Sequence, residues 1–506
     1  MELELQKERF EGYRSGTPLL LSDEETAETV VPDYAPDIAR IVEVSACLLL
    51  RSRAVADEKL TASGSVRLTL LYLAEDAQGL RSLEYTVPFE QIASLPEGCE
   101  DAAVEGRVCA AEARLLNPRK LFTRLNIEWR VTPYCRAALT TCGEIAEQER
   151  YAIQLLCERR EVSLIRSVGD RDFVFADELT LPGGRDAIGE LLCSRVKLRV
   201  TEAKSLGSKV VLKGVACLSL VYASAEGKLC SYAEELPFSQ ILDGAGGENG
   251  DGAVSVALSL SDSEIHIAEG SDGRTVGVKL FLSAFLVLRA QESVCCITDL
   301  YSTAYDLDAQ MESVELRQEP EVTTVTESVR EQLDTGTEVQ CVLSADVCFG
   351  GVSVHQEGGR ASLRAAATLS VLYLDESDAP LSLERRIEIT AEGAVNGDAR
   401  ASVENVCAGD ITANVNANGI ELRFPAEFTL ISTAAPSCMC LVSLRAEEAQ
   451  SADMPSLVLR AIGEGETLWD IAKRYRTTAE EILAANELTD GSALTVGQML
   501  LIPRQR

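Results

Sequence analysis

Apolar and polar side chains alternate over long stretches of this chain. In residues 64–73 every second side chain is apolar, namely Val66, Leu68, Leu70 and Tyr72. A period of two is typical of an antiparallel strand with one buried face. Acidic, small and glycine residues follow at 75–79, which indicates a turn. The pattern therefore predicts a half-buried strand that ends in a turn.

The same alternation recurs twice, at 214–223 and 365–374. Tyr72, Tyr222 and Tyr373 hold the same place in the three segments and are 150 and 151 residues apart. This period is far longer than the 20–50 residues of a solenoid unit. It predicts three tandem copies of one domain.

Two further segments support the repeat and show that the third copy has diverged. Val-Pro-Phe-Glu-Gln-Ile at 87–92 matches Leu-Pro-Phe-Ser-Gln-Ile at 236–241, but the third copy has Arg-Ile-Glu-Ile at 386–389. The segment 32–38 (Pro-Asp-Tyr-Ala-Pro-Asp-Ile) is related to 182–188, and the third copy has no counterpart. Copies one and two are therefore closer to each other than to copy three.

Runs rich in Val, Leu and Thr return within each copy, at 104–116, 121–132, 253–268, 276–289, 402–417 and 420–432. Short strands at this spacing favour an all-β module with packed sheets. We predict a mainly β chain of three tandem antiparallel β-sandwich-like repeats, followed by a small α+β domain. The expected division is an N-terminal segment 1–30, repeats 31–142, 176–305 and 334–445, linkers 143–175 and 306–333, a tether 446–456 and a C-terminal domain 457–504.

Charge narrows the classes of partner. The chain has 506 residues, with Lys+Arg 47 and Asp+Glu 80, so its formal net charge is −33. So acidic a chain is repelled by phosphate backbones and by anionic lipid surfaces, and we expect neither nucleic-acid binding nor direct membrane insertion. The first residues show no cationic segment followed by an apolar run, and no run of about 18 apolar residues occurs.

The chemistry-bearing residues point away from catalysis. The only histidines are His266 and His355, and no P-loop, G-x-S-x-G or H-E-x-x-H motif is present. The sixteen cysteines stand mostly in apolar runs, where we expect reduced, buried thiols. The close pairs 295–296 and 438–440 lack zinc-site spacing. We therefore predict no enzyme activity, no cofactor and no metal site.

Residues 458–503 have a different character. Thr467 and Thr478 are suitable helix N-caps, each followed three residues later by an acidic residue. Apolar residues recur at helical spacing after the first cap: Leu468, Ile471, Ala472 and Tyr475. With alternation before Thr467 and a strand at 499–502, this predicts a β-α-α-β order.

This C-terminal segment closely resembles a LysM domain, through Gly465-Glu-Thr-Leu-Trp-Asp-Ile-Ala472, Leu483-Ala-Ala-Asn486 and Gly497-Gln498. The resemblance implies binding of N-acetylglucosamine glycans, chiefly peptidoglycan or chitin, in a groove between two loops. Carried over residue by residue, the glycan- or partner-binding positions are Gly465, Glu466, Thr467, Leu468, Asn486, Glu487, Leu488 and Thr489. We interpret Trp469, Ile471 and Leu483 as core, and Thr467 as either cap or ligand contact.

The whole arrangement resembles the SipL-type spore morphogenesis proteins, whose repeats are called SPOCS domains. That family implies a cytoplasmic mother-cell protein at the forespore surface that works with a coat-basement ATPase of the SpoIVA type. We expect a non-enzymatic scaffold, with the repeats as an arm and the LysM-like domain as a docking head. Two alternatives stay open: an exported peptidoglycan-binding envelope protein, and a wall hydrolase with catalysis in the repeats.

Overall fold

The computed structural model describes residues 1–75, 79–244, 252–448, 456–488 and 495–503. Strands make up 76% of the chain, and the helices of the described part are two short ones near the C-terminus. The predicted mainly β fold is confirmed. Neither helix has the length or the apolar run needed to cross a lipid bilayer.

Each repeat pairs two antiparallel sheets. In repeat 1, one sheet is β3 (Ile38–Ala56), β4 (Lys59–Ala74) and β5 (Leu80–Ser94), and the other is β2 (Leu19–Val30), β7 (Lys120–Ile145) and β6 (Cys99–Asn117), in those orders. Apolar side chains of both sheets share one core, which includes Leu68, Phe89, Leu125 and Trp129. The alternation predicted this architecture because each strand has one face in the core.

Repeats 2 and 3 follow the same plan. Repeat 2 joins the sheet β9 (Ile188–Leu206), β10 (Lys209–Ser224) and β11 (Leu229–Asp243) to a sheet of β8 (Ile153–Thr180), β13 (Thr275–Ser302) and β12 (Val254–Ile267). Repeat 3 joins β16 (Val339–Glu357), β17 (Arg360–Asp375) and β18 (Pro380–Ala394) to β15 (Glu321–Leu333), β21 (Gly419–Thr433), β19 (Arg400–Ala408) and β20 (Thr412–Asn416). Each repeat has its own apolar core.

The divergence of the third copy has a packing explanation. The residues that face each other on the central strand and its neighbour are Gly64 and Phe89, Gly214 and Phe238, and Ala365 and Ile389. A Cβ atom added to Gly214 would lie 2.3 Å from Cζ of Phe238. The glycine therefore makes room for the ring. In repeat 3 the smaller Ile389 lets alanine take the glycine position.

The segments expected to be linkers, 143–175 and 306–333, consist largely of strands. The first half of β8 pairs with the second half of β13, β1 (Leu5–Ser15) pairs with the second half of β7, and β14 (Tyr305–Glu315) pairs with β22 (Ser437–Glu448). We call the β1–β7 pair ribbon 1, the β8–β13 pair ribbon 2 and the β14–β22 pair ribbon 3, after the repeats to which they belong. Residues 157–161 of β8 are exposed and mostly charged, so they lack the alternation that marks a half-buried strand. The sandwiches also contain β2, the second half of β8 and β15, most of which precede the expected starts of repeats 1, 2 and 3 at residues 31, 176 and 334.

The three ribbons meet at equivalent positions. Each outgoing strand contains a β-bulge that leaves one residue unpaired: Gly143, Thr298 and Val442. The residue before each unpaired residue and the second residue after it belong to one apolar cluster, which includes Cys142, Ile145, Ile297, Leu300, Leu441 and Leu444. We call it the ribbon cluster. It joins parts of the chain that lie about one repeat apart.

The three repeats also meet at a second apolar cluster, which is a correction to the expected extended arm. Val42, Leu192 and Leu343, which are 150 and 151 residues apart, belong to one buried cluster. Beside it, Arg195 of repeat 2 forms an ion pair of 2.8 Å with Glu43 of repeat 1 and donates to Ser344 Oγ of repeat 3 at 3.1 Å. The repeats therefore surround a common contact instead of forming an extended arm.

The C-terminal domain has the predicted β-α-α-β order. It consists of β23 (Leu457–Ala461), α1 (Leu468–Tyr475), α2 (Ala479–Ala485) and β24 (Met499–Pro503), and β23 pairs antiparallel with β24. Its buried core includes Ile462, Ile471, Ala472, Ile482, Leu500 and Ile502. Residues 449–455 of the expected tether and residue 504 lie outside the described residues.

One pair of cysteines departs from the expected reduced state. Cys99 on β6 and Cys135 on β7 face each other in register and are joined by a disulfide. The pair is 36 residues apart in sequence, and only the strand register shows that the two are neighbours. The other fourteen cysteines are free thiols.

Candidate functional site

Thr467 begins α1 as an N-cap. Its Oγ1 accepts the backbone N–H of Asp470 at 3.2 Å and donates to Asp470 Oδ2 at 2.6 Å. The same carboxylate accepts the backbone N–H of Thr467 at 3.0 Å. The hydrogen bonds from the Thr467 hydroxyl and backbone lower the pKa of Asp470. Of the two interpretations of Thr467, the structure displays the cap, and the hydroxyl is engaged there.

The preceding residues form a tight, internally bonded loop. Gly465 has a φ of +74°, in the region that favours glycine. The carboxylate of Glu466 accepts the backbone N–H of Gly463 at 2.9 Å and forms an ion pair with Arg460 on β23. These two contacts hold the pKa of Glu466 below its usual range. Glu466 therefore fastens the loop to the first strand of the domain.

Asn486 fixes the second loop. Its Nδ2 donates to the carbonyl oxygens of Ile482 and Leu501, both at 2.7 Å, and its Oδ1 accepts the backbone N–H of Leu501 at 2.7 Å. The amide thus joins the end of α2 to β24. Glu487 follows with a left-handed φ of 55° and is exposed. Thr489, the last expected site residue, lies outside the described residues.

The two loops border one small core. Leu468 from the first loop and Leu488 from the second both pack on the cluster that contains Ile471 and Ile482. The polar groups of Glu466, Thr467 and Asn486 are engaged by the domain itself, as described above. A ligand would therefore meet mainly backbone groups and the exposed residues Gly465, Thr467 and Glu487. The binding role of all eight positions stays a prediction.

Trp469 contacts another part of the chain. It packs on the core of the C-terminal domain, as expected, and its indole N–H also donates to Asp299 Oδ2, on β13 of repeat 2, at 2.8 Å. Lys473 Nζ lies 2.5 Å from Asp299 Oδ1. Partial burial opposes the charge of Asp299, yet the bonds from Lys473 and Trp469 lower its pKa overall. The domain is therefore packed on repeat 2.

Tyr301 is the centre of this packing. It is 6% exposed, and its hydroxyl donates to the carbonyl oxygen of Thr477 at 2.8 Å. Its ring meets Trp469 edge-on, with 4.9 Å between centroids. Arg476 adds an ion pair with Asp306 on β14. Sequence reasoning missed this interface because nothing in the local pattern of β13 distinguishes Tyr301 from a core residue of its own repeat.

The outward side of the sheet in the C-terminal domain is apolar. Leu457, Leu459 and Met499 are 54%, 63% and 52% exposed. Register places the following residues on this side, which we call the outer face: Leu457, Leu459, Ala461, Met499, Leu501 and Pro503. A solvated side of an antiparallel sheet is usually polar. The sequence did not predict the outer face either, because a short apolar strand has the same sequence pattern whether one or both of its sides are buried.

Comparison with known families agrees with the domains that the sequence suggested. The LysM domain family matches residues 462–503, and the SipL, SPOCS domain family matches residues 37–112 and 187–268. No curated protein and no solved structure matched the chain. Both matching families are non-catalytic binding domains, and the SPOCS matches span β3 to β6 and β9 to β12. The chain therefore carries SPOCS domains of the SipL family in its first two repeats and a LysM domain in its C-terminal part.

Proposed function

We propose that this protein is a non-enzymatic adaptor in spore coat assembly. Its LysM domain would dock on a coat-basement morphogenetic ATPase of the SpoIVA type, in the mother-cell cytoplasm at the forespore surface. The domain content supports a sporulation role, since SPOCS and LysM domains occur together here. The observation that carries docking to a protein is the apolar outer face of the LysM sheet.

The outer face suits a protein partner better than a sugar. Leu457, Leu459 and Met499 offer aliphatic surface without a hydrogen-bonding side chain, whereas a glycan presents hydroxyl and acetamido groups that need polar partners. Contiguous exposed apolar surface on a soluble domain typically marks a protein interface. The LysM domain contacts repeat 2 through Trp469, which packs on Tyr301, and its outer face stays exposed. The domain can therefore contact repeat 2 and a partner at the same time.

We expect Leu459→Arg to weaken binding to the purified ATPase by at least about tenfold, or ~1.4 kcal/mol, because it places a charge in the centre of an apolar contact. Biolayer interferometry with the full chain measures this. Leu206→Arg in repeat 2 is the matched control, since Leu206 is 59% exposed and Leu459 is 63% exposed. The control should bind like the unaltered chain.

Equal affinity of the two variants would contradict docking through the outer face. The alternative function, binding of peptidoglycan by an envelope protein, is supported by the LysM match. Its test is sedimentation with purified peptidoglycan. If the full chain sediments, a version that ends at Ser456 does not, and neither binds the ATPase, the glycan function replaces the adaptor function.

A further inference from the structure

Three cysteines from two repeats meet beside the ribbon cluster. Cys438 and Cys440 are two residues apart on β22, so strand geometry points both to the same face. Cys296 on β13 packs against them. The three Sγ atoms all lie within 4.8 Å of one another. The sequence did not reveal this group, because ribbons 2 and 3 bring together residues that are more than one hundred positions apart.

The three thiols are buried among apolar side chains, and Glu158 of β8 lies opposite Cys296 in register. Cys296, Cys440 and Cys438 are 0%, 2% and 9% exposed, and the same cluster contains Val162, Val294 and Leu316. Burial raises the pKa of Cys296, and hydrogen bonding to Cys440 raises it further. Burial also raises the pKa of Cys440.

We propose that Cys296, Cys438 and Cys440 bind one thiophilic d10 metal ion, Zn(II) or Cu(I), through their three sulfur atoms. Each thiol that binds releases its proton to solvent while its sulfur forms a bond to the ion, and no electron is transferred. Sulfur atoms bound about 2.3 Å from one ion lie about 4 Å apart. The Sγ–Sγ distances, none of which exceeds 4.8 Å, are therefore close to those expected around a bound ion.

The donor set selects the class of ion. The group consists of sulfur alone, without a histidine or a carboxylate. Sulfur ligands favour Cu(I) and Zn(II) over Mg(II), Ca(II) or Mn(II), which prefer oxygen. Three thiolates leave negative charge in a buried place, which needs a counter-charge. Arg160 on β8 supplies one positive charge near Cys438 and Cys296, and it shares that charge with Glu158, to which it is ion-paired at 2.7 Å.

An ion here would join two repeats beneath the LysM domain. Cys296 belongs to ribbon 2, and Cys438 and Cys440 belong to ribbon 3. The strand that carries Cys296 continues to Asp299 and Tyr301, which hold Trp469. The ion would therefore fix the strand on which the LysM domain is packed. This inference does not depend on the identity of the partner proposed above.

Metal retention by the full chain tests the proposal. The protein is reduced with a phosphine under anaerobic conditions, exposed to Zn(II) or to Cu(I), and dialysed against a competing chelator before metal analysis. We expect Cys440→Ala to retain about one ion per chain less than the unaltered protein, with loss of the ultraviolet thiolate-to-metal absorption. Cys295→Ala is the matched control, because its side chain points to the other face of β13.

The ion that is retained identifies the metal, and retention of either supports the proposal. Retention of neither ion overturns it, as does equal loss from Cys440→Ala and Cys295→Ala. Thermal unfolding without metal shows whether the variant folds. If Cys440→Ala does not fold, Cys438→Ala at the 9% exposed rim takes its place, and full retention by that variant also overturns the site.

Discussion

Replacing Tyr301 with alanine should detach the LysM domain from repeat 2. The side chain is 6% exposed, lies among the core residues of the LysM domain and donates a hydrogen bond to Thr477. Truncation of a buried aromatic residue typically costs about 3–5 kcal/mol. Among the described residues, Asp299 and Asp306 add ion pairs with Lys473 and Arg476. The expected loss is therefore a large part of the docking free energy.

Tryptophan fluorescence can measure the detachment. The chain has two tryptophans, and Trp129→Phe leaves Trp469 as the single reporter. Loss of Tyr301 removes the ring that meets the indole edge-on, so we expect the emission of Trp469 to shift to the red. Tyr301→Phe keeps the ring and loses only the bond to Thr477, which should cost about 1 kcal/mol. That variant should keep the emission of the unaltered chain.

A matched control separates detachment from general destabilisation. Tyr373 is 3% exposed in the core of repeat 3, which has no LysM residue. Tyr373→Ala should lower the stability of that repeat and leave the emission of Trp469 unchanged. If Tyr301→Ala also leaves it unchanged, the domain is not held by Tyr301 in solution.

The features that the sequence predicted are those with a local cause. The period of two at 64–73 and its two recurrences identified the central strands of the three sandwiches, because each strand has one face in a core. The helix starts were equally local, since Thr467 and Thr478 both cap helices through their own side chains. Such patterns need only residues that are neighbours in sequence.

The features that were missed depend on contacts between repeats. The ribbons lie beyond the sandwiches and their strands are partly exposed, so β14 and the first half of β8 were interpreted as linkers. The bond between Trp469 and Asp299 joins residues 170 positions apart. The sequence cannot show whether three repeats pack around one common contact or lie in an extended row, because both arrangements give the same repeated pattern. Only packing distinguishes them.

The glycine that faces a phenylalanine in repeats 1 and 2 leads to a second large effect. A Cβ atom at Gly214 would lie 2.3 Å from Phe238 Cζ and 2.8 Å from the carbonyl oxygen of Arg199. Gly214→Ala should therefore destabilise repeat 2 by about 1–3 kcal/mol, the usual range for overpacking. Hydrogen exchange of the β10 amides measures this opening free energy for one repeat at a time.

The third repeat shows how the clash can be relieved. It has Ala365 opposite Ile389, where repeat 2 has Gly214 opposite Phe238. Adding Phe238→Ile to Gly214→Ala should therefore recover part of the loss, with a coupling energy of at least about 0.5 kcal/mol, because the closest atom and two of the three nearest belong to the ring. Gly183→Ala is the control, since its added Cβ meets nothing within 4 Å. Strict additivity of the two substitutions would mean that the ring is not what requires glycine, and that the contact with the Arg199 carbonyl alone excludes a side chain.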